Sequence, residues 1–212
     1  MDVVRRVRRA AGGAKTGHAG TLDPLASGVV VCCLGRATRC VEQLMGLTKV
    51  YEAAVDLSAF TTTDDREGER VGPQKCDPPS ESALRDRLES FIGHIEQTPP
   101  VYSAVHVNGQ RAYKMARRGE TVRLKARTVR IDTIRLLGYD WPIAQLRVTC
   151  GRGTYLRSLA RDLGEALGTG GHLAALRRAA VGQYDLARAV IFDRLDSPIT
   201  QADLLDPPAI KP

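Results

Sequence analysis

Gly17-His18-Ala19-Gly20-Thr21-Leu22-Asp23-Pro24 is the stretch from which the fold is read. Pro24 drives the residue before it out of helical angles and toward extended backbone, while Gly17 and Gly20 permit turns or close chain approach that a side chain would block. Asp23 is therefore expected on an ordered loop, its carboxylate held at a fixed angle. Downstream, the apolar run Gly28-Val29-Val30-Val31-Cys32-Cys33-Leu34 predicts a buried strand. Upstream, Val3, Val4, Val7, Ala10 and Ala11 share one helical face from which Arg5, Arg6 and Arg9 are excluded, with Asp2 as cap and Gly12-Gly13 as stop.

The 212 residues suffice for one domain with a real core. Two divisions are expected, a catalytic domain over 1–186 and a tail over 187–212 that wraps it. The five cysteines, Cys32, Cys33, Cys40, Cys76 and Cys150, lack the paired spacing of a zinc site and read as reduced, mostly buried thiols. No stretch approaches a membrane span and no signal-peptide core follows Met1, so a cytoplasmic protein is expected. Net charge is +7 but unevenly placed: residues 111–161 hold thirteen Lys/Arg against three Asp/Glu, a local +10, which leaves the remainder at −3. Of the 31 basic residues 25 are arginine, whose planar fork suits phosphates and bases. That distribution points to RNA.

Along the rest of the chain, a second helix is expected over Ala37–Met45. A strand is expected over Lys49–Leu57, with Tyr51, Ala53, Val55 and Leu57 on one face. Residues 60–79 read as a long polar loop, and Ser80 or Ser82 starts a helix with the apolar stripe Ala83, Leu84, Leu88, Phe91 and Ile92. Pro99 to Val107 reads as extended chain, with Asn108-Gly109 as a turn. A short basic segment over Arg111–Arg118 precedes one or two strands within Thr121–Leu137. The alternation Ala144, Leu146, Val148, Cys150 predicts another strand. Thr154 is expected to open a helix that Gly168 stops, a further helix is expected over His172–Ala180, and a short segment over Val181–Leu186 closes the core.

Lys15-Thr16-Gly17-His18-Ala19-Gly20-Thr21-Leu22-Asp23-Pro24-Leu25-Ala26-Ser27-Gly28 closely resembles the catalytic motif of the TruB family of tRNA pseudouridine synthases. Further segments match where that family places them: Lys49-x-Tyr51, Thr63-Asp64-Asp65-x-x-Gly68, Gln97-x-Pro99-Pro100-x-Tyr102-Ser103-Ala104, Gly153-Thr154-Tyr155-Leu156-Arg157-Ser158-Leu159-Ala160-Arg161-Asp162-Leu163-Gly164 and Gly171-His172-Leu173-Ala174-Ala175-Leu176-Arg177-Arg178. His106 stands where the family usually has lysine. The resemblance implies an α+β pseudouridine synthase fold, with a predominantly antiparallel central sheet flanked by helices. It implies conversion of uridine 55 in the T-loop of tRNA to pseudouridine, with no cofactor or metal.

By the same resemblance Asp23 is the catalytic carboxylate, attacking ribose or base or assisting removal of a sugar proton. Arg157 is its charge partner, and Tyr51 stacks on the flipped uracil and helps remove the carbon 5 proton. His18 occupies the space that the flipped base vacates. Lys15, Asp65, Tyr155, Leu176, Arg152, Arg177 and Arg178 fall at positions expected to hold RNA. The expected partner is the T-arm of tRNA, with no membrane, no obligate protein partner and a monomeric state. Against the family pattern, the opening strand with its Lys-Pro turn is expected to be missing before Met1, as is a C-terminal RNA-binding domain of the PUA type after Pro212. Two other readings stand beside this one: a guide-RNA-dependent relative, and a tRNA-binding folding helper with impaired catalysis.

Overall fold

The computed structural model describes residues 2–72, 76–107 and 109–209. Helix α1 (Asp2–Ala10) leads through β1 (Thr16–His18) and the Asp23 loop to β2 (Ala26–Gly28) and β3 (Cys32–Leu34); a 3-10 segment (Gly35–Cys40) then runs into α2 (Val41–Gly46) and β4 (Lys49–Asp56). Next come β5 (Phe60–Thr61), β6 (Arg70–Val71), α3 (Glu81–Glu89), β7 (Gly93–Gln97), β8 (His106–Val107), β9 (Gln110–Arg111) and α4 (Ala112–Arg117). The long strands β10 (Arg127–Asp140) and β11 (Ile143–Cys150), helix α5 (Leu156–Leu167), β12 (His172–Val181) and β13 (Tyr184–Asp185) follow, and the tail carries 3-10 turns at Leu186–Arg188, Phe192–Asp196 and Gln201–Asp203. The fold is mixed α/β with a mostly antiparallel sheet, as expected. By chain contacts it divides into residues 50–177 and a unit made of 1–49 with 178–212, so the tail groups with the N-terminal segment.

In the larger unit β12, β4, β11, β10 and β7 lie side by side in that order. The period-two reading of β4 holds: Ala53 and Val55 are buried, as is Leu57 just beyond it, and β11 buries Ala144, Leu146, Val148 and Cys150 on one face. Strand β10 pairs antiparallel with both neighbours and shifts register against β11 at Ile131/Thr133 and Leu136/Gly138, irregularities that bend a strand. Helix α3 begins at Ser80, whose Oγ accepts from Ala83 N at 3.2 Å, and packs on α5 and β10. The 60–79 region is less irregular than expected, because β5 and β6 form a small antiparallel hairpin. The Asn108 part of the expected turn, the Asp2 side chain and Pro73 to Lys75 lie outside the described residues.

Two local expectations are overturned in this unit. His172–Ala180 is strand β12, not helix: its alanines, leucines and arginines favour helix in isolation, but strands on the sheet decide the matter through pairing and burial. Thr154 does not cap α5. Its hydroxyl donates to the carbonyls of Gly151 (3.3 Å) and Arg130 (3.4 Å), and the cap position falls to Tyr155, while Gly168 in the left-handed region (φ 70°) ends the helix as expected.

The smaller unit explains why Gly28–Leu34 is not one strand. Gly28 sits at φ +103°, and a Cβ there would lie 2.2 Å from the Arg178 carbonyl oxygen, so the chain passes β12 in contact and turns. β2 pairs with β12, whereas β3 pairs antiparallel with β1, placing Gly17 opposite Cys33 and His18 opposite Cys32. The expected helix over 37–45 is a 3-10 segment followed by α2. Ala19, Cys33, Cys40, Leu44 and Tyr184 form the core, with Val31, Val41, Met45 and Leu47 packed on it. The tail is tied down where Ile199 N donates to Ala10 O at 2.9 Å and Cys40 Sγ to Pro208 O at 3.5 Å. No helix among the described residues is long and apolar enough to cross a membrane.

Candidate active site

In the smaller unit the Asp23 loop hangs between two fixed points. Ala19, fully buried, donates its N–H to Val31 O at 2.9 Å, anchoring the exit of β1; Ala26 N donates to Asp23 O at 2.9 Å, closing the turn through Pro24. Between them Arg178 supplies the brace. It is 1 % exposed, and its guanidinium donates to Val29 O (2.8 Å), Gly20 O (3.1 Å) and Thr21 O (3.5 Å). Asp23 is half-buried on this braced loop, and His18 is half-buried at the end of β1.

Arg178, expected among the RNA contacts, is buried here. Three of its five N–H donors go to these loop carbonyls, so here it braces the Asp23 loop. Lys15, by contrast, is exposed, and its carbonyl accepts from Gly35 N at 2.8 Å.

In the larger unit, α5 points three polar side chains at two loops. Arg157, 4 % exposed, donates to Thr63 O (3.2 Å) and Tyr102 O (3.0 Å), with the Asp65 carboxylate at 3.6 Å. Arg161, one turn on, donates to Asp64 Oδ2 (2.8 Å) and Thr98 O (2.9 Å) and pairs with Asp162, while Ser158 Oγ donates to Thr98 O at 2.8 Å. The Thr63–Gly68 loop is also sutured to β12: Arg66 N donates to Leu173 O and Leu173 N to Asp64 O, each at 3.0 Å. Asp64 holds a left-handed conformation (φ 60°), uncommon outside glycine but one that aspartate adopts more readily than most side chains. Burial pushes its carboxyl up from the ordinary range, and the Arg161 and Arg157 charges oppose that rise. Burial raises Asp162 likewise, again opposed by Arg161.

Asp65 is buried within this loop rather than presented to solvent. Its Oδ1 accepts from Thr63 Oγ1 (2.6 Å) and Glu67 N (3.0 Å), so in this state it organises the turn. Tyr155 is positioned by Gln97, which accepts from its N–H at 2.8 Å and donates to its carbonyl at 3.1 Å; the Arg127 guanidinium covers its ring at 5.0 Å. Leu176 is buried in β12, an inward position that fits packing. Arg177 beside it is exposed, 3.9 Å from Glu52, and Arg152 is exposed. Tyr51 is half-buried in β4, next to the buried Lys49, whose ammonium reaches back to Met45 O.

Three residues of consequence were not singled out from sequence: Gln97 and Arg161 for their clamps, and Ser103, a buried hydroxyl with no hydrogen-bond partner among the described residues. Gln97, Ser103 and Arg161 all lie in the matched motifs, but nothing in one sequence distinguishes a clamp from a solvated polar side chain.

Comparison with known proteins matches residues 8–156 to the TruB family pseudouridylate synthase N-terminal domain and residues 157–207 to the tRNA pseudouridylate synthase B C-terminal domain. Among curated relatives, the tRNA pseudouridine synthase B of Thermobifida fusca is 49% identical over 97% of this chain and 73% of its own length. That of Leifsonia xyli is 50% identical over 89% of this chain and 65% of its length. Among solved structures, a Cbf5-Nop10-Gar1 complex superposes with a TM-score of 0.69 at 31% identity, covering 92% of this chain and 49% of the other. An H/ACA RNP bound to a substrate RNA containing 2'-deoxyuridine does so at 0.67 and 27%, covering 92% and 48%. This chain therefore spans about half the length of those solved chains. With the family matched across residues 8–156 and relatives near one-half identity, the chain belongs to the TruB family of pseudouridylate synthases.

Proposed function

We propose that this chain converts uridine 55 in the T-loop of tRNA to pseudouridine, with Asp23 as the catalytic carboxylate. The observation that carries the reading is the Asp23 loop itself: a side chain in the family's catalytic motif, held by a buried arginine on the carbonyls of Gly20, Thr21 and Val29. A catalytic group must be presented at a set angle, and a loop with this many fixed points supplies one. The relatives' shared name, tRNA pseudouridine synthase B, supports tRNA as substrate.

The isomerisation breaks the bond from ribose C1′ to uracil N1 and makes one from C1′ to C5. The C5 proton leaves and N1 gains a proton, so no redox partner or water enters the balance. Asp23 attacks ribose or base, or takes the sugar proton in the alternative route. Tyr51 stacks on the target uracil and assists loss of the C5 proton. Loop uridines suit such chemistry because they unstack at low cost. The protein works as a cytoplasmic monomer on the T-arm.

The test is pseudouridine formation on an unmodified tRNA transcript, beside one carrying cytidine at position 55. Asp23→Asn keeps tRNA affinity and makes no product, because amide and carboxylate are nearly isosteric. Turnover by Asp23→Asn, or product elsewhere in the cytidine transcript, overturns the assignment. A wild-type chain that binds without turnover returns the folding-helper reading.

A further inference from the structure

Helix α1 carries Arg5, Arg6, Arg8 and Arg9 within nine residues. Arg5 and Arg9 are four residues apart and Arg6 and Arg9 three apart, spacings that put them on adjoining faces of one helix. Arg6 is fixed in place: its Nε donates to Asp196 Oδ1 at 3.0 Å, its Nη2 pairs with Oδ2, and its guanidinium lies 4.3 Å from the centre of the Phe192 ring. A cavity of about 430 Å³ opens between helix and tail, lined by Arg5, Arg6, Arg9 and Phe192. Arg9 is 74% exposed at its rim, 3.7 Å from the already engaged Asp196.

The tail is built to hold Phe192 there. Ile199 N bonds Ala10 O, Thr200 and Asp203 close a capping box, and Arg194 meets Asp203 at 3.3 Å. Helix α1 also packs on β1 and β3, the hairpin that carries His18. Whatever α1 binds is thereby oriented on the same unit as Asp23.

We propose that this cleft is a second RNA-binding site, with a backbone phosphate taken by Arg5 and Arg9 and the adjoining nucleobase laid against the Arg6–Phe192 pair. The inference rests on the tRNA reading above and adds a contact outside the catalytic motif. RNA fits better than an acidic protein segment because the cleft joins cations to an aromatic ring, the combination that binds phosphate and base together. Its volume also lies in the range of small-molecule sites. Arginine serves both partners, as a fork for phosphate and as a plane for stacking.

The experiment compares wild type with Arg5→Glu/Arg9→Glu, which leaves the Arg6–Asp196 and Arg6–Phe192 contacts in place and removes the longer Arg9–Asp196 approach; Arg5→Gln/Arg9→Gln serves if charge reversal disturbs the circular dichroism spectrum. Affinity for full-length tRNA is measured by filter binding across a salt series, together with the single-turnover rate at saturating enzyme. The expected result is about tenfold weaker binding near 0.15 M salt, a salt slope flatter by roughly 0.7 to 0.9 for the one phosphate released, and an unchanged saturated rate. Unchanged affinity and slope overturn the site while leaving the function intact. So does a fall in the saturated rate alone, or polyglutamate binding that wild type shows and the variant lacks while tRNA affinity is equal. Absence of pseudouridine formation by wild type overturns the functional reading instead, and is scored separately.

Discussion

Arg178 holds Val29 from both sides: its carbonyl accepts the Val29 N–H at 2.8 Å, and its own Nε donates to the Val29 carbonyl at 2.8 Å. One residue of β12 thus fixes both the pairing of the chain after Gly28 and, through its remaining nitrogens, the backbone before Asp23. Arg178→Met keeps the backbone bond and removes the side-chain bonds, leaving the carbonyl of buried Val29 and that of half-buried Gly20 without them at a cost of about 2–3 kcal/mol. Urea unfolding checks the stability loss. The saturated rate of pseudouridine formation is expected to fall further than tRNA affinity, since the lost bonds position Asp23 rather than touch RNA.

Arg161 and Asp64 give a pH-dependent counterpart in the larger unit. Asp64 has its folded-state pKa raised by burial, with Arg161 resisting the rise. A carboxyl raised in the folded state binds protons more tightly there than in the unfolded chain, so it costs stability above its folded pKa. That cost is relieved as pH falls toward the unfolded value near 3.8. Arg161→Gln removes the opposing charge and is expected to cost about 2–3 kcal/mol at neutral pH, less than a fully buried pair because both partners are partly exposed. The deficit relative to wild type should shrink in urea titrations stepped from pH 7.5 to pH 4.5. A deficit constant with pH would mean that Arg161 acts through Thr98 O and packing alone.

The sequence carried these relationships unequally. Strands β4 and β11 were legible because each buries one face of a sheet, and the helix ended by Gly168 was legible because its stop is chemical. Strand β12 was not: His172-Leu173-Ala174-Ala175-Leu176-Arg177-Arg178 reads as helix by propensity, and only pairing within the sheet makes it a strand. Missing that strand hid the place of Arg178, which motif matching alone set among RNA contacts. The same holds for Gly28–Leu34, where hydrophobicity is continuous but the chain changes sheets at a left-handed glycine.

Burial of the Cys32 side chain, with the neighbouring Cys33 adding to the effect, pushes its thiol up to about 11, and burial raises Cys33 in the same direction. At pH 8 a thiol at 11 is about 0.1% thiolate, against about 10% at the ordinary 9.0. Iodoacetamide at pH 8 should therefore alkylate the peptide holding Cys32 and Cys33 about a hundredfold more slowly in the native protein than in urea, as peptide mapping by mass spectrometry would read. Comparable rates in the two states would place these thiols in solvent.

The excess of arginine over 111–161 is not one surface. Arg157 is buried, Arg161 is bonded to Asp64 and Thr98, Arg127 lies over Tyr155, Arg130 pairs with Asp132 at 3.0 Å, and Arg147 pairs with Glu52 at 3.0 Å. Arg117, Arg118 and Arg123 are exposed on and after α4, with Arg118 held by Glu120 and Gln110. If this short segment draws tRNA in by charge, reversing all three to glutamate should weaken binding and flatten the salt dependence by roughly 2. The rate at saturating tRNA should stay at the wild-type value. Combining these changes with Arg5→Glu/Arg9→Glu should add the two losses in slope, because the two clusters sit on different elements. An unchanged slope with a collapsed saturated rate would instead make the α4 segment part of the chemistry.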